Sequence, residues 1–193
     1  LNYFGCILHK YEIQDAIRDK RLVNYLYEPK IVQLDSDEQE EWNQLTTQIG
    51  QKIAIHGSWD AAQKNDDFFF NLVITRSRIG KKAAGKIPAA VHIFSNEVQS
   101  GQHWLFYCED TEHMKPLVQG LKEVQSDLDI FEFHSAMEGD REATLREFEG
   151  NGGVLVSCGI LDEGVNIPDA SHALILASSQ NRREYIQRRG RVL

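Results

Sequence analysis

Near its carboxyl end the chain reads Gln187-Arg188-Arg189-Gly190-Arg191-Val192-Leu193, three arginines and a glutamine within five positions. A guanidinium is a planar, permanently charged fork that fits phosphate and carboxylate oxygens. From residue 181 to residue 193, Arg182, Arg183, Arg188, Arg189 and Arg191 stand against Glu184 alone, whereas acids concentrate at residues 35–41 and 138–149 and the whole chain carries −8. The net charge argues against nucleic acid as a partner, but the segregation leaves one basic edge of the kind phosphates require. A second stretch, Asp162-Glu163-Gly164-Val165-Asn166-Ile167-Pro168, joins an acidic pair to a glycine that allows close backbone approach or positive φ. A third, Gly80-Lys81-Lys82-Ala83-Ala84-Gly85-Lys86-Ile87, nearly spells a phosphate-binding loop, with Ile160-Leu161-Asp162-Glu163 in the place of its metal-binding partner. That pairing would make a self-contained nucleotidase. Against it, Ile87 stands where a hydroxyl must hold magnesium, and Cys158-Gly159 interrupt the strand that should lead into the aspartate. A basic helical surface over residues 76–86 is the better reading.

The elements that must position these groups are legible in the second half of the chain. His103-Trp104-Leu105-Phe106-Tyr107-Cys108 is an apolar run of buried-strand length, and Thr111 can cap a helix whose Met114, Leu117, Val118 and Leu121 recur at helical spacing. Ile130 to Phe133 reads as a strand, residues 140–148 as a helix ended by Gly150-Asn151-Gly152-Gly153, residues 154–157 and 173–176 as two more strands, and residues 182–189 as a last helix. Such alternation predicts an α/β fold with a parallel sheet and helices on both faces. Ligands of such sheets bind at the carboxyl ends of the strands, here near Cys108, Cys158 and Ser178. The first hundred residues read as mostly helical. A strand is expected over residues 30–34, then a capping box from Ser36 to Gln39, a helix through Trp42, Leu45 and Ile49, breaks at Gly57-Ser58 and Gly101, and a packing cluster at Phe68-Phe69-Phe70.

With 193 residues, 41% of them apolar, one or two domains of roughly 100 to 200 residues are expected. Cys6, Cys108 and Cys158 are dispersed and odd in number, which fits neither a disulfide framework nor a zinc knuckle and suits a reducing cytoplasm. No stretch approaches the roughly 18 apolar residues that span a bilayer, and no signal peptide is read at the start. Leu1 in place of Met implies a piece of a longer protein.

Together, residues 162–168 and 187–193 resemble the last two motifs of superfamily 2 helicases and translocases, motors that close two RecA-like domains over ATP. Residues 105–113 resemble the strand-to-helix motif that opens the second motor domain. Phe133-His134-Ser135-Ala136-Met137 with Arg141 resembles the next motif, whose loop contacts the tracked strand, and residues 2–17 are similar to the connector found in relatives of the xeroderma-pigmentosum-B helicase and of restriction-system motor subunits.

The resemblance implies a RecA-like domain over residues 101–193, truncated within its last motif, preceded by an interdomain connector and helical accessory segment over residues 1–100. It further implies ATP with magnesium, bound mainly by a missing N-terminal motor domain, and DNA as the track, with RNA still open. Arg191 would reach the γ-phosphate, Arg188 would precede it in the motif and Gln187 would be a polar relay. Gly164 and Asn166 would contact the nucleotide, Asn166 standing where many members carry an aspartate on the ribose. Ser157, Cys158, His134, Ser135 and Glu109 would face nucleic acid. At Cys158 many members carry a hydroxyl, so that contact passes to Ser157 and backbone N–H groups. Nuclease or other defence and repair subunits are conceivable partners. The alternative is a RecA-like module that binds nucleic acid or protein without catalysis.

Overall fold

The computed structural model describes residues 13–20, 26–125, 127–137, 139–158 and 170–177. Five helices come first: α1 (Ile13–Arg18), α2 (Ser36–His56), α3 (Trp59–Asn65), α4 (Asp67–Lys81) and α5 (Lys86–Glu97). Then β1 (His103–Cys108), α6 (Thr111–Val124), β2 (Ile130–Phe133), α7 (Arg141–Asn151), β3 (Gly153–Cys158) and β4 (His172–Ile175) follow. The strands form one sheet in the order β2-β3-β1-β4, every pair parallel. Leu105 pairs with Leu155, Phe106 with both Val156 and Leu174, and Phe133 with Ser157.

Side chains alternate across a strand, so one strand feeds two cores. Trp104, Phe106 and Cys108 join Val154, Val156 and Cys158 on one face, covered by Ala90, Ile93 and Phe94 of α5 and by Met114, Leu117, Val118 and Leu121 of α6. Leu105, Tyr107 and Leu155 turn to the opposite face, where Leu145 and Phe148 of α7 cover them. The expected parallel sheet with helices on both faces is therefore present. Burial on both sides explains why β1 and β3 read as continuous apolar runs.

Four helices start at aspartates. Asp35 caps α2 by accepting from Glu38 N at 2.9 Å, and Glu38 Oε2 accepts from Asp35 N at 3.0 Å. Asp66, Asp110 and Asp140 accept from Phe68 N (3.0 Å), His113 N (2.9 Å) and Glu142 N (2.9 Å) ahead of α4, α6 and α7. Two starts thus lie one residue earlier than the hydroxyls suggest, at Asp35 rather than Ser36 and at Asp110 rather than Thr111. A carboxylate is the stronger acceptor for exposed N–H groups at the positive end of a helix.

Residues 26–35 form no strand. The β-branched pattern there has no neighbouring strand to pair with among the described residues: Ile31 is 92% exposed, and Val32 packs instead on Gly85, where its Cγ1 lies 2.8 Å from the position of an added Cβ. Phe68-Phe69-Phe70 does not pack as a unit either. Phe69 is buried with Ile49 and Ala62 between α2, α3 and α4, while Phe68 and Phe70 are exposed, because three successive helical residues point in three directions.

Gly152 and Gly153 end α7 and start β3 with φ of 73° and 108°. Gly153 N donates to Gln102 O at 2.7 Å and Val154 N to Asp129 O at 2.9 Å, which wedges this turn between the approaches to β1 and β2. A Cβ on Gly153 would lie 2.3 Å from Asp129 O. Only glycine fits.

Candidate functional site at the carboxyl edge of the sheet

Because all four strands are parallel, their carboxyl ends converge on one edge, where open α/β sheets bind ligands. Cys108 ends β1 opposite Cys158, which ends β3. Glu109 and Asp110 follow Cys108 and lead into α6; His134 and Ser135 follow β2; Leu176 and Ala177 follow β4. Glu109, His134, Ser135, Ser157 and Cys158 thus share one edge. They differ in exposure: Ser135 is open to solvent and His134 half-buried, whereas Ser157 lies buried between Tyr107 and Phe133 and Cys158 is only 8% exposed. Arg141 donates to Ser135 O and shapes the loop after β2. Arg188, Arg191, Gln187, Gly164 and Asn166 lie outside the described residues, as do the expected last helix and Ser178.

The loop after β1 is ringed by cations from the accessory helices. Lys81 Nζ lies 2.8 Å from Glu109 Oε1, and Lys82 bridges Asp110 and Glu112. Lys86 donates to Leu176 O at 2.6 Å, and Glu38 accepts from Ala84 N at 2.7 Å. The turn between α4 and α5 is thereby fastened across the edge of the sheet. Burial pulls the Lys86 ammonium below the usual lysine value, opposed by Glu109 and Glu38. Burial and the nearby thiol of Cys158 push Cys108 up to about 12. Both thiols on this edge therefore stay protonated and act as small apolar side chains rather than nucleophiles.

The model of one protein family, the helicase conserved C-terminal domain, matches residues 85–193. The chain belongs to this family. The superfamily 2 resemblance drawn from residues 104–193 falls wholly within the match. Over 55 residues, 28% of this chain, it is 38% identical to the DNA 3'-5' translocase XPB2 of Sulfurisphaera tokodaii, and it spans 12% of that relative. Set against the crystal structure of the Pyrococcus furiosus Hef helicase domain, the TM-score is 0.39 at 16% identity, covering 80% of this chain and 33% of that one. No helix among the described residues is long and apolar enough to cross a membrane.

The matched region begins at Gly85, so it takes in Lys86 and all of α5. The near-match to a phosphate-binding loop at residues 80–87 has a different use. A phosphate loop links a strand to a helix, whereas here helix α4 runs into helix α5 and the three lysines face acids and a carbonyl of the sheet edge. Sequence reasoning took these lysines for a basic surface and missed their partners. The available signal was the run Glu109-Asp110-Thr111-Glu112 directly after a strand, three carboxylates in four residues that need cations from elsewhere.

Proposed function

We propose that this chain is the C-terminal half of an ATP-dependent DNA helicase or translocase. It supplies an arginine finger and nucleic-acid contacts to ATP and magnesium held mainly by an N-terminal motor domain. The observation that carries this reading is the extent of the helicase C-terminal match, which runs through residue 193 and so includes Gln187, Arg188 and Arg191. DNA is favoured over RNA because the relative matched at 38% identity is named a DNA translocase. Residues 1–100 serve as connector and accessory segment, of which α5 also covers the sheet.

The described edge fits a division of labour. Glu109, Asp110 and Glu112 are already paired with Lys81 or Lys82, so among the described residues the carboxylates of this edge are poorly suited to holding magnesium. On this reading the metal ligands belong to the other domain, and the contribution of this chain is cationic. Arg191 neutralises charge spread over the transferring phosphoryl oxygens, a role worth roughly 10³- to 10⁵-fold in rate where it is supplied in trans. Arg188 is the arginine that precedes it in the motif, Gln187 is the polar relay beside it, and Gly164 and Asn166 contact the nucleotide. Glu109, His134 and Ser135 line the side facing nucleic acid, whereas Ser157 and Cys158, expected there too, are buried and can only support that edge from within.

The test uses the full-length protein. Wild type should show ATP hydrolysis stimulated by DNA more than by RNA. Arg191→Ala should lower turnover by about 10³-fold while DNA affinity changes less than about threefold, and an Arg191→Ala protein with normal turnover would remove the proposed role. Residues 1–193 alone should hydrolyse no ATP.

A further inference from the structure

Arg141, the first residue of α7, reaches back to the loop that leaves β2. The core sets the base of that loop: Phe133 is fully buried, and Met137 packs against the cluster that holds Phe133 and Phe148. Between them His134 O accepts from Met137 N at 3.2 Å, closing a tight turn whose two corners, Ser135 and Ala136, are exposed. The Arg141 guanidinium donates to the carbonyl of the first corner, Ser135 O.

A cation at this end of a helix runs against the dipole, whose positive pole favours acids. Asp140 caps α7 and Glu142 follows it, and Arg146, further along the helix, already lies 3.6 Å from each of these carboxylates. What Arg141 adds from its position is the bond to the loop. The described peptide bonds are trans, so the N–H of Ala136 points opposite to the carbonyl of Ser135. Holding that carbonyl toward α7 therefore fixes the Ala136 N–H away from α7, at the exposed corner that also carries the Ser135 hydroxyl. Two donors on one exposed turn at the carboxyl edge of the sheet suit the phosphate of a nucleic-acid backbone, to which hydroxyls and main-chain N–H groups commonly donate.

We propose that Arg141 is a positioning residue for nucleic-acid binding, presenting the Ala136 N–H and the Ser135 hydroxyl to one backbone phosphate. The proposal rests on the reading above that Ser135 faces nucleic acid. Arg141 itself does not touch the phosphate in this scheme, because its guanidinium is directed at the Ser135 carbonyl.

The experiment measures the Kd of the full-length protein for a fluorescein-labelled DNA oligonucleotide and its RNA counterpart over a range of salt concentrations. Wild type, Arg141→Ala, Ser135→Ala and the double variant are compared, each first checked by circular dichroism. Arg141→Ala should weaken binding roughly 5- to 10-fold and Ser135→Ala roughly 3- to 5-fold, as for the loss of one or two hydrogen bonds. The double variant should bind about as Arg141→Ala does, because both substitutions remove the same contact. In Arg141→Ala the slope of log Kd against log salt should keep its wild-type value, whereas loss of a cation that touches phosphate lowers it by about 1. KM for ATP should stay at the wild-type value. If Arg141→Ala does not fold, Arg141→Met, which keeps the apolar stem but no donor, takes its place with the same expected loss. Wild-type affinity in the arginine variant, a slope lowered by about 1, or a full additional loss in the double variant would each overturn the proposal. A wild type that binds neither DNA nor RNA would defeat the nucleic-acid reading and this proposal with it, whereas firm wild-type binding that Arg141→Ala leaves unchanged defeats the positioning role alone.

Discussion

Cys108 and Cys158 stand opposite each other on the last rung between β1 and β3, with 2% and 8% of their surfaces exposed. Burial pushes Cys108 up to about 12 and raises Cys158 as well. Against an ordinary thiol near pH ~8.5, a value of about 12 suppresses the Cys108 thiolate by roughly three-thousandfold. Alkylation of the folded chain by iodoacetamide at pH 8, followed by peptide mapping, should modify both cysteines at least ~100-fold more slowly than in urea. Labelling of either residue at the unfolded rate would show that this edge is open to reagent and not packed as described.

The turn from α7 into β3 should be intolerant of any side chain. Gly153 has φ 108° and no room for a Cβ, since Asp129 O would lie 2.3 Å away. Gly153→Ala should cost about 3 kcal/mol or more, combining backbone strain with displacement of the loop before β2. Gly150, with nothing within 4 Å of an added Cβ and a helical position, should accept alanine with a gain of up to about 1 kcal/mol. Urea midpoints of the two variants should move in opposite directions, and equal midpoints would contradict the wedge at Gly153.

Much of this architecture could be read without coordinates, and the exceptions have physical causes. β1 and β3 were legible because a strand buried on both faces leaves an uninterrupted apolar run, and α6 because Met114, Leu117, Val118 and Leu121 repeat at helical spacing. Residues 30–34 misled because β-branched residues signal a strand only if another strand is there to pair with. The role of α5 was hidden because Ala90, Ile93 and Phe94 are spaced alike whether they face a sheet or other helices. At the site, the order of Glu109, His134, Ser135, Ser157 and Cys158 along one edge followed from strand order alone. Exposure did not follow: Ser157 carries the same hydroxyl as Ser135, and only the pairing of β3 between β1 and β2 buries it. The acidic run from Glu109 to Glu112 signals that cations are needed, but which lysines supply them was not legible, since contacts across 28 residues leave no local pattern.

His113 gives the fold a weak point in mild acid. It is 4% exposed, and among the described residues neither ring nitrogen has a hydrogen-bond partner. Burial lowers its pKa, the Lys86 and Lys82 ammonium groups lower it further, and Asp110 and Glu109 oppose them. The folded state therefore prefers the neutral ring, while the unfolded chain takes up a proton near pH ~6.5. A depressed folded value means that the stability is fully present above pH ~6.5 and is lost as pH falls toward that depressed value. His113→Leu removes both the titration and the unpaired nitrogens. It should match or exceed wild type at pH 8 by about 1 kcal/mol, and its Tm should fall less than that of wild type between pH 7.5 and 5.5. Parallel Tm curves for the two proteins would exclude His113 as the source.

The accessory helices should depend on one phenylalanine of three. Phe69 is fully buried against Ile49 and Ala62 and meets the Trp59 ring edge-on at 4.9 Å, while Phe68 and Phe70 keep 73% and 53% of their surface in water. Removing Phe69 opens a cavity among α2, α3 and α4, so Phe69→Ala should cost about 3–5 kcal/mol. Phe68→Ser leaves those contacts in place and should change stability by less than about 0.5 kcal/mol. Both are read from urea unfolding followed by helical circular dichroism. A Phe68→Ser variant as unstable as Phe69→Ala would mean that the outward-facing ring has a packing partner beyond those described here. Because Lys81 and Lys82 fasten the end of α4 to the sheet edge, Phe69→Ala should also loosen the ion pair of Lys81 with Glu109. That loosening is detectable as faster amide exchange at the end of α4 with the sheet core still protected, and unchanged exchange there would show that the helical layer and its fastening unfold independently.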